Sequence, residues 1–277
     1  MPVKIDSHHH LWNYTPQEYG WISDPMKIIR RDFVPMDLRS ALGSAGVSGA
    51  VTVQARETLE ETTWLLTLAK AEPKMKGVVG WVPLVEPRVG DLLEKLAADP
   101  KMKGVRHVLQ DDKASVLMED KRFNAGIDLL PRNNLVYDIL IYERHLKMAI
   151  PFVDRHPKQV FVLDHIAKPL IKDHALEPWR TLIRELAKRP NVYCKLSGMV
   201  TEAEWRAWKP ADLKPYIDVV IQAFTPKRLM FGSDWPVMLV ASSYKQWHDV
   251  VAGAIAHLSE AEQERIWSGT ATEAYRL

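Results

Sequence analysis

The sequence is poor in cysteine. Cys194 is the only one among 277 residues, so no disulfide can form within the chain, which fits a reducing compartment. Long hydrophobic runs are missing as well: no apolar stretch approaches the about 18 residues that a membrane span needs. The opening "MPVKID" turns polar by Lys4, and no signal peptide is visible in it. Basic residues form no block. Thirty-seven lysines and arginines against 35 acidic residues leave a net charge of +2, which excludes the footprint of a nucleic-acid or anionic-membrane binder. These absences predict a soluble cytoplasmic protein whose partner is a small molecule, with its oligomeric state left open. No repeat, low-complexity tract or Gly/Pro/Ser-rich linker divides the chain, so residues 1–277 read as a single domain.

What is present is a chain 47% apolar, enough to fill a sizeable core. Eight short apolar or β-branched runs recur along it: "VKIDSH", "GAVTVQA", "GVVGWVPL", "GVRHVLQ", "LVYDILI", "QVFVLDH", "NVYCKLSG" and "RLMFGSDW". Most are near-continuously apolar up to a polar end, the pattern of strands covered on both faces. Amphipathic stretches lie between them; "TLEETTWLLTLAKAEP" carries a capping-box pattern at Thr58 and Glu61 and stops at Pro73. Strand–helix alternation repeated eight times predicts an α/β fold, a single (β/α)8 barrel of the TIM type. An open doubly wound sheet is the runner-up, weakened because no Gly-rich phosphate loop follows the first run or any later one. Two connections are long, Leu11 to Pro35 and Met199 to about Pro215, and both carry tryptophans. They are candidate walls of a site.

In such a barrel the working groups sit at the carboxyl ends of the strands. The predicted ends carry His8 and His10, Arg106 and His107, Asp138 with Tyr142 beyond, Asp164 and His165 with Lys168 behind, Lys195, and Asp234. Residues two apart on a strand share a face, so His8 and His10 can offer two imidazoles to one metal ion while His9 points away. His165 and Asp234 stand where a mixed nitrogen and oxygen shell would be completed. Asp234 is equally placed to act as a general base, or to cap the helix after "FGSDWP". Arg106 reads either as a structural ion-pair partner or, beside His107, as a cation suited to a carboxylate or a polarised carbonyl, and Asp138 and Tyr142 suit sugar hydroxyls or a helix cap. Lys168 reads either as a substrate contact or as a solvated residue. Asp6 is placed to orient a histidine from behind.

The blocks "IDSHHHLW", "GVVGWVPL", "KGVRHVLQ", "FVLDHIAKP", "CKLSGMVTEA" and "RLMFGSDWPV" together resemble the amidohydrolase-related family of the amidohydrolase superfamily. Within it the chain is most similar to sugar lactonases of the L-fuconolactonase and L-rhamnonolactonase type. The resemblance spans nearly the whole chain and implies a distorted (β/α)8 barrel, carbohydrate metabolism, and hydrolysis of a sugar-derived lactone. A related branch decarboxylates aromatic or muconate-type acids with a metal, and that is the alternative activity. Carried over by position, the resemblance implies metal ligation by His8, His10, His165 and Asp234, catalysis by Asp234 and His165, and substrate contacts from Arg106, His107 and Lys168. It implies one divalent ion, zinc foremost, or a site that works without one. No lysine suited to bridging two metals ends the fourth run, so a two-metal centre is not expected.

Overall fold

The computed structural model describes residues 3–110 and 113–277. Its centre is one eight-stranded sheet of β1 (Ile5–His9), β2 (Gly49–Val53), β3 (Met75–Gly80), β4 (Met102–Val108), β5 (Val136–Leu140), β6 (Phe161–Leu163), β7 (Val192–Leu196) and β8 (Leu229–Phe231). The strands follow in sequence order, and each pairs with the next in parallel. Helical segments separate them on the outside, so the strands are covered on both faces. That is why they read as near-continuous apolar runs. All eight predicted runs contain a strand, and the architecture is a (β/α)8 barrel with one seam.

The seam lies between β1 and the segment after β8, because β8 is only three residues long. His10 N–H donates to the Trp235 carbonyl (2.7 Å) and Asp234 N–H donates to the His8 carbonyl (2.8 Å). Asp6 locks this join. Its buried carboxylate accepts from the N–H groups of His8 (3.0 Å) and Ser233 (2.8 Å) and from the hydroxyls of Ser233 (2.6 Å) and Tyr244 (3.0 Å). Asp6 therefore fixes the backbone on both sides of the seam, where the sequence suggested that it orients an imidazole. Burial pushes its carboxyl up to about 6, against the pull of these donors.

Apolar side chains fill two regions. The larger packs strands against helices; the smaller fills the barrel floor with Ile5, Val51, Val53, Val79, Val136, Val162 and Met230. Ala271, Ala274 and Tyr275 of the last helix, Thr270–Tyr275, close that floor from the amino-terminal side of the strands. Burying each such Val or Ile contributes about 1.5–3 kcal/mol. The helix Leu59–Ala71 begins as predicted, with Thr58 Oγ1 accepting from Glu61 N–H (3.2 Å). The reciprocal half of the capping box is not made. Glu61 instead turns back to accept from Ala55 and Arg56 N–H (2.9 and 2.8 Å), tying down the loop after β2. Among the described residues no helix is long and apolar enough to cross a membrane.

Candidate active site

Four of the predicted ligand residues converge at the carboxyl-terminal mouth. His8 lies on β1, and His10 follows the strand with its side chain on the same face; His9 turns outward to Thr52 Oγ1 (3.0 Å). His165 follows β6 in a left-handed turn: His165, Ile166, Ala167 and Lys168 all have φ between 47° and 61°. Four consecutive non-glycine residues in this region are costly, at roughly 1–2 kcal/mol each. The turn is held by the Trp179 indole N–H on the Ile166 carbonyl (2.8 Å) and by Lys168 N–H on the His165 carbonyl (2.8 Å). Asp234 also has a positive φ, 60°, which aims its side chain back at β1 rather than along the following turn. Strain of this kind at site residues persists only where the surroundings over-determine it.

The donor set fits a divalent metal ion. His10 Nδ1 lies 2.8 Å from the Val53 carbonyl, an acceptor only, so Nδ1 carries the proton and Nε2 presents a lone pair inward. That Nε2 is 3.1 Å from His8 Nε2 and 3.4 Å from Asp234 Oδ1. His8 Nε2 and His165 Nε2 lie 3.8 and 3.7 Å from the same oxygen. Neighbouring ligands of a tetrahedral ion with bonds of about 2.0–2.1 Å stand about 3.3 Å apart, and His8, His10 and Asp234 offer one atom each near that spacing, with His165 reaching Asp234 from beside them. Burial pushes His8 well down and His165 to about 4, leaving both imidazoles neutral and able to ligate. Burial alone would raise Asp234. The imidazoles, His165 first, outweigh it and hold this carboxyl well below the usual range.

Beneath these residues lies a buried charge network. Lys195 Nζ, fully enclosed, is 2.5 Å from Asp138 Oδ2 and 2.9 Å from Asp164 Oδ1, and His8 Nδ1 lies 3.3 Å from the same Asp164 oxygen, which takes its N–H and leaves Nε2 free to ligate. Arg106 donates to Asp164 Oδ2 (3.1 Å), to Gln54 Oε1 (3.0 Å) and to the Gln54 carbonyl, while its buried Nε–H has no partner. Two carboxylates and two cations thus balance in the barrel interior, as a stable buried cluster demands. Asp164 is held well below the carboxylate range: Lys195, His8 and Arg106 together overcome its burial. A second possible ligand triad, His8, Asp164 and His165, shares this carboxylate. Because Lys195 and Arg106 already occupy it, the arrangement favours one ion over two.

Above the four converging residues opens a cavity of about 450 Å³. Trp12, Trp21 and Trp205 wall it, together with Arg106, Tyr142, Lys168 and Glu202, and His10, His165 and Asp234 form its floor. Both long connections supply walls, as expected from their tryptophans. Lys168 and Tyr142 are therefore at the mouth, with Lys168 Nζ 5.6 Å from the Tyr142 ring centre.

Two predicted substrate residues are elsewhere. His107 follows Arg106 on β4 and so faces outward, among Trp81, Phe123 and Tyr137. Burial there pushes it down to about 3. Asp138 points into the interior but lies below the cavity, bound by Lys195 and by the Tyr275 hydroxyl at 2.9 Å to each oxygen. The helix-cap reading of Asp234 is also not observed, since its side chain faces the imidazoles. The sequence reading placed Asp164 at a strand end without giving it a role, and did not single out Gln54, Ser197 and Glu202. Asp164 beside His165 in "LDH" was the one available signal; Ser197 meets His165 Nδ1 (2.8 Å) from another strand, a contact no spacing announces.

Comparison with known proteins places this geometry. The family described as Amidohydrolase matches residues 5–277. A protein of Burkholderia multivorans (strain ATCC 17616 / 249) named L-fucono-1,5-lactonase is 40% identical over 286 residues, covering 99% of this chain and 96% of its own length. A second L-fucono-1,5-lactonase, of Burkholderia ambifaria, is 35% identical over 284 residues, covering 100% and 97%. The crystal structure of an amidohydrolase from Burkholderia multivorans with bound zinc superposes with a TM-score of 0.93 at 41% identity, over 99% of both chains.

Proposed function

The chain belongs to the amidohydrolase family, and from that premise we propose that it opens a sugar-derived lactone of the L-fucono-1,5-lactone kind. Residues 1–277 form one catalytic unit in this reading. The observation that carries it is the convergence of His8, His10, His165 and Asp234 beneath a cavity walled by three tryptophans. Indole faces suit the apolar face of a sugar ring, and the floor supplies what an acyl transfer to water needs.

In the reaction a water oxygen bonds to the lactone carbonyl carbon, the endocyclic acyl–oxygen bond breaks, and the departing alkoxide takes a proton. His8, His10, His165 and Asp234 would hold a single divalent ion, zinc foremost. Such an ion supplies Lewis acidity, which lowers the pKa of water towards about 7. Asp234 Oδ1 is turned to the three imidazoles, so Oδ2 is the atom left to take the water proton and return it to the alkoxide. His165, fixed through Nδ1 by Ser197, orients Asp234 from the opposite side. Arg106 lines the cavity and is the cation that would face the carbonyl oxygen as negative charge develops. The tryptophan walls exclude bulk water.

A decarboxylase substrate fits less well, because its carboxylate would face Asp234 and Glu202 across the cavity. A pH-indicator screen of sugar lactones, with and without a chelator, tests the reading. Proton release on ring opening is expected. Turnover of no lactone, or release of carbon dioxide from an aromatic acid instead, overturns it. Metal analysis of the active protein should give at most one ion per chain, and two would contradict the ligand assignment.

A further inference from the structure

Glu202 is the cavity residue for which the reaction has no use. It ends the short turn Val200–Glu202 that follows β7, and its backbone is pinned on both sides: Glu202 N–H donates to the Met199 carbonyl (3.2 Å), and Lys172 N–H donates to the Glu202 carbonyl (2.9 Å). Its side chain lines the cavity with Oε1 3.5 Å from Lys168 Nζ. Both side chains are about four-fifths buried, 18% and 21% exposed, so this is no solvated surface pair. Burial raises the Glu202 carboxyl, partly offset by Lys168. Lys168 itself is delivered by the left-handed turn after His165. A strained turn and a pinned loop thus bring one acceptor and one donor side by side on the wall, above the reacting groups.

The charge of the cavity limits what this pair can bind. Asp234 and Glu202 are acidic, Arg106 and Lys168 basic, and Asp164 already neutralises Arg106 from behind. No cation is left over for an anionic substrate. An ammonium beside a carboxylate is instead complementary to two adjacent hydroxyls: the carboxylate accepts one O–H, and the ammonium donates to the neighbouring oxygen. Trp205 lines the same cavity with its N–H spent on the Thr201 carbonyl (2.8 Å), leaving its ring for the sugar carbons.

We propose that Glu202, with Lys168, reads a pair of neighbouring hydroxyls on the lactone ring and is the residue that sets the enzyme's choice among sugar lactones. The proposal rests on the lactonase reading above. A site built to hydrogen-bond a substrate hydroxyl rejects the analogue lacking it, because the buried carboxylate is then left unpaired.

The experiment measures kcat and KM for L-fucono-1,5-lactone and its monodeoxy and epimeric analogues with the wild type, Glu202→Gln, Glu202→Asp and Lys168→Met. In the wild type, loss of one of two adjacent hydroxyls should lower kcat/KM about 10-fold or more, chiefly through KM. In Glu202→Gln and Lys168→Met the penalty at those same positions should shrink to about threefold or less, with penalties at the other hydroxyls retained. Glu202→Asp keeps the charge but withdraws it by one methylene, so it should shift the same penalties in the same direction. A merely structural role would lower stability or scale every substrate alike. Variants that keep the wild-type pattern of penalties overturn the assignment of Glu202 and leave the lactonase reading standing. A wild type that opens none of these lactones overturns both.

Discussion

At the scale of the residue, the clearest division is between side chains held for chemistry and side chains held for packing. Asp234 belongs to the first kind: its positive φ and its three imidazole neighbours serve no cap and no surface ion pair. Asp234→Asn keeps the shape and removes the proton acceptor, so kcat for lactone opening should fall about 100-fold or more. Thermal unfolding should stay within a few degrees of the wild type. Near-normal turnover in the folded variant would take Asp234 out of the mechanism. His107 belongs to the second kind and is one of several buried histidines that weaken the fold in acid. Its folded pKa of about 3 lies below the unfolded value of about 6.5, so its full contribution to stability is present above pH 6.5 and is lost as pH falls towards 3. At pH 5 the unfolded chain takes up a proton that the folded protein refuses, at a cost of about 2 kcal/mol. His107→Phe should therefore narrow the drop in Tm between pH 7 and pH 5 by several degrees. An unchanged drop, measured by calorimetry, would mean that the buried His107 is not titrating as its surroundings require.

At the scale of the element, the turn after β6 does the most to shape the site. It carries His165 to the floor and Lys168 to the wall within four residues, and Gly198 on the loop after β7 makes room for it. A Cβ at position 198 would lie 2.5–2.7 Å from atoms of the His165 side chain, and the backbone there has φ of +63°. Gly198→Ala should accordingly displace His165, destabilise the fold by about 1–3 kcal/mol and weaken zinc binding. Titrating zinc while following Tm checks this. The wild type should gain stability with added zinc and the variant should gain less, whereas equal gains would show that the ring can shift without cost. None of this was legible beforehand. The apolar runs revealed the strands because burial on both faces leaves a direct trace, and the polar residues at their ends marked His8, His10, His165 and Asp234. A left-handed turn built from His, Ile, Ala and Lys carries no trace, because its residues have no preference for that region. His107 and Asp138 were misplaced for a related reason: strand ends were recognised, but which face or depth each residue takes depends on register. On β4 and β5, Arg106 pairs with Asp138 and His107 with Ile139, which puts one pair inside the barrel and the other outside.

At the scale of the whole molecule, the two ends of the chain meet through the site's foundations. β1, near the amino terminus, carries His8; the last helix carries Tyr275, whose hydroxyl bonds both oxygens of Asp138. Asp138 holds Lys195, and Lys195 and His8 Nδ1 meet on the same oxygen of Asp164. The structure shows a nearly continuous helical stretch from Glu260 to Tyr275, with Arg265–Gly269 in a wider π turn, ending as the plug of the barrel floor. Tyr275→Phe removes one oxygen and leaves the aromatic plug in place, so it separates the hydrogen bonds from the packing. Asp138 would lose the Tyr275 hydroxyl while remaining enclosed, and burial already pushes that carboxyl up to about 6. The expected loss is about 1–3 kcal/mol, or a Tm lower by several degrees. Lys195, with Asp138 less firmly held, would fix Asp164 and through it His8 less rigidly, so turnover should fall more than the stability loss explains at a temperature where the variant is fully folded. A Tyr275→Phe protein with wild-type Tm and wild-type kcat would show that the helix only fills space. A lowered Tm with unchanged kcat would confine its role to the floor and break the proposed link between the last helix and the first strand.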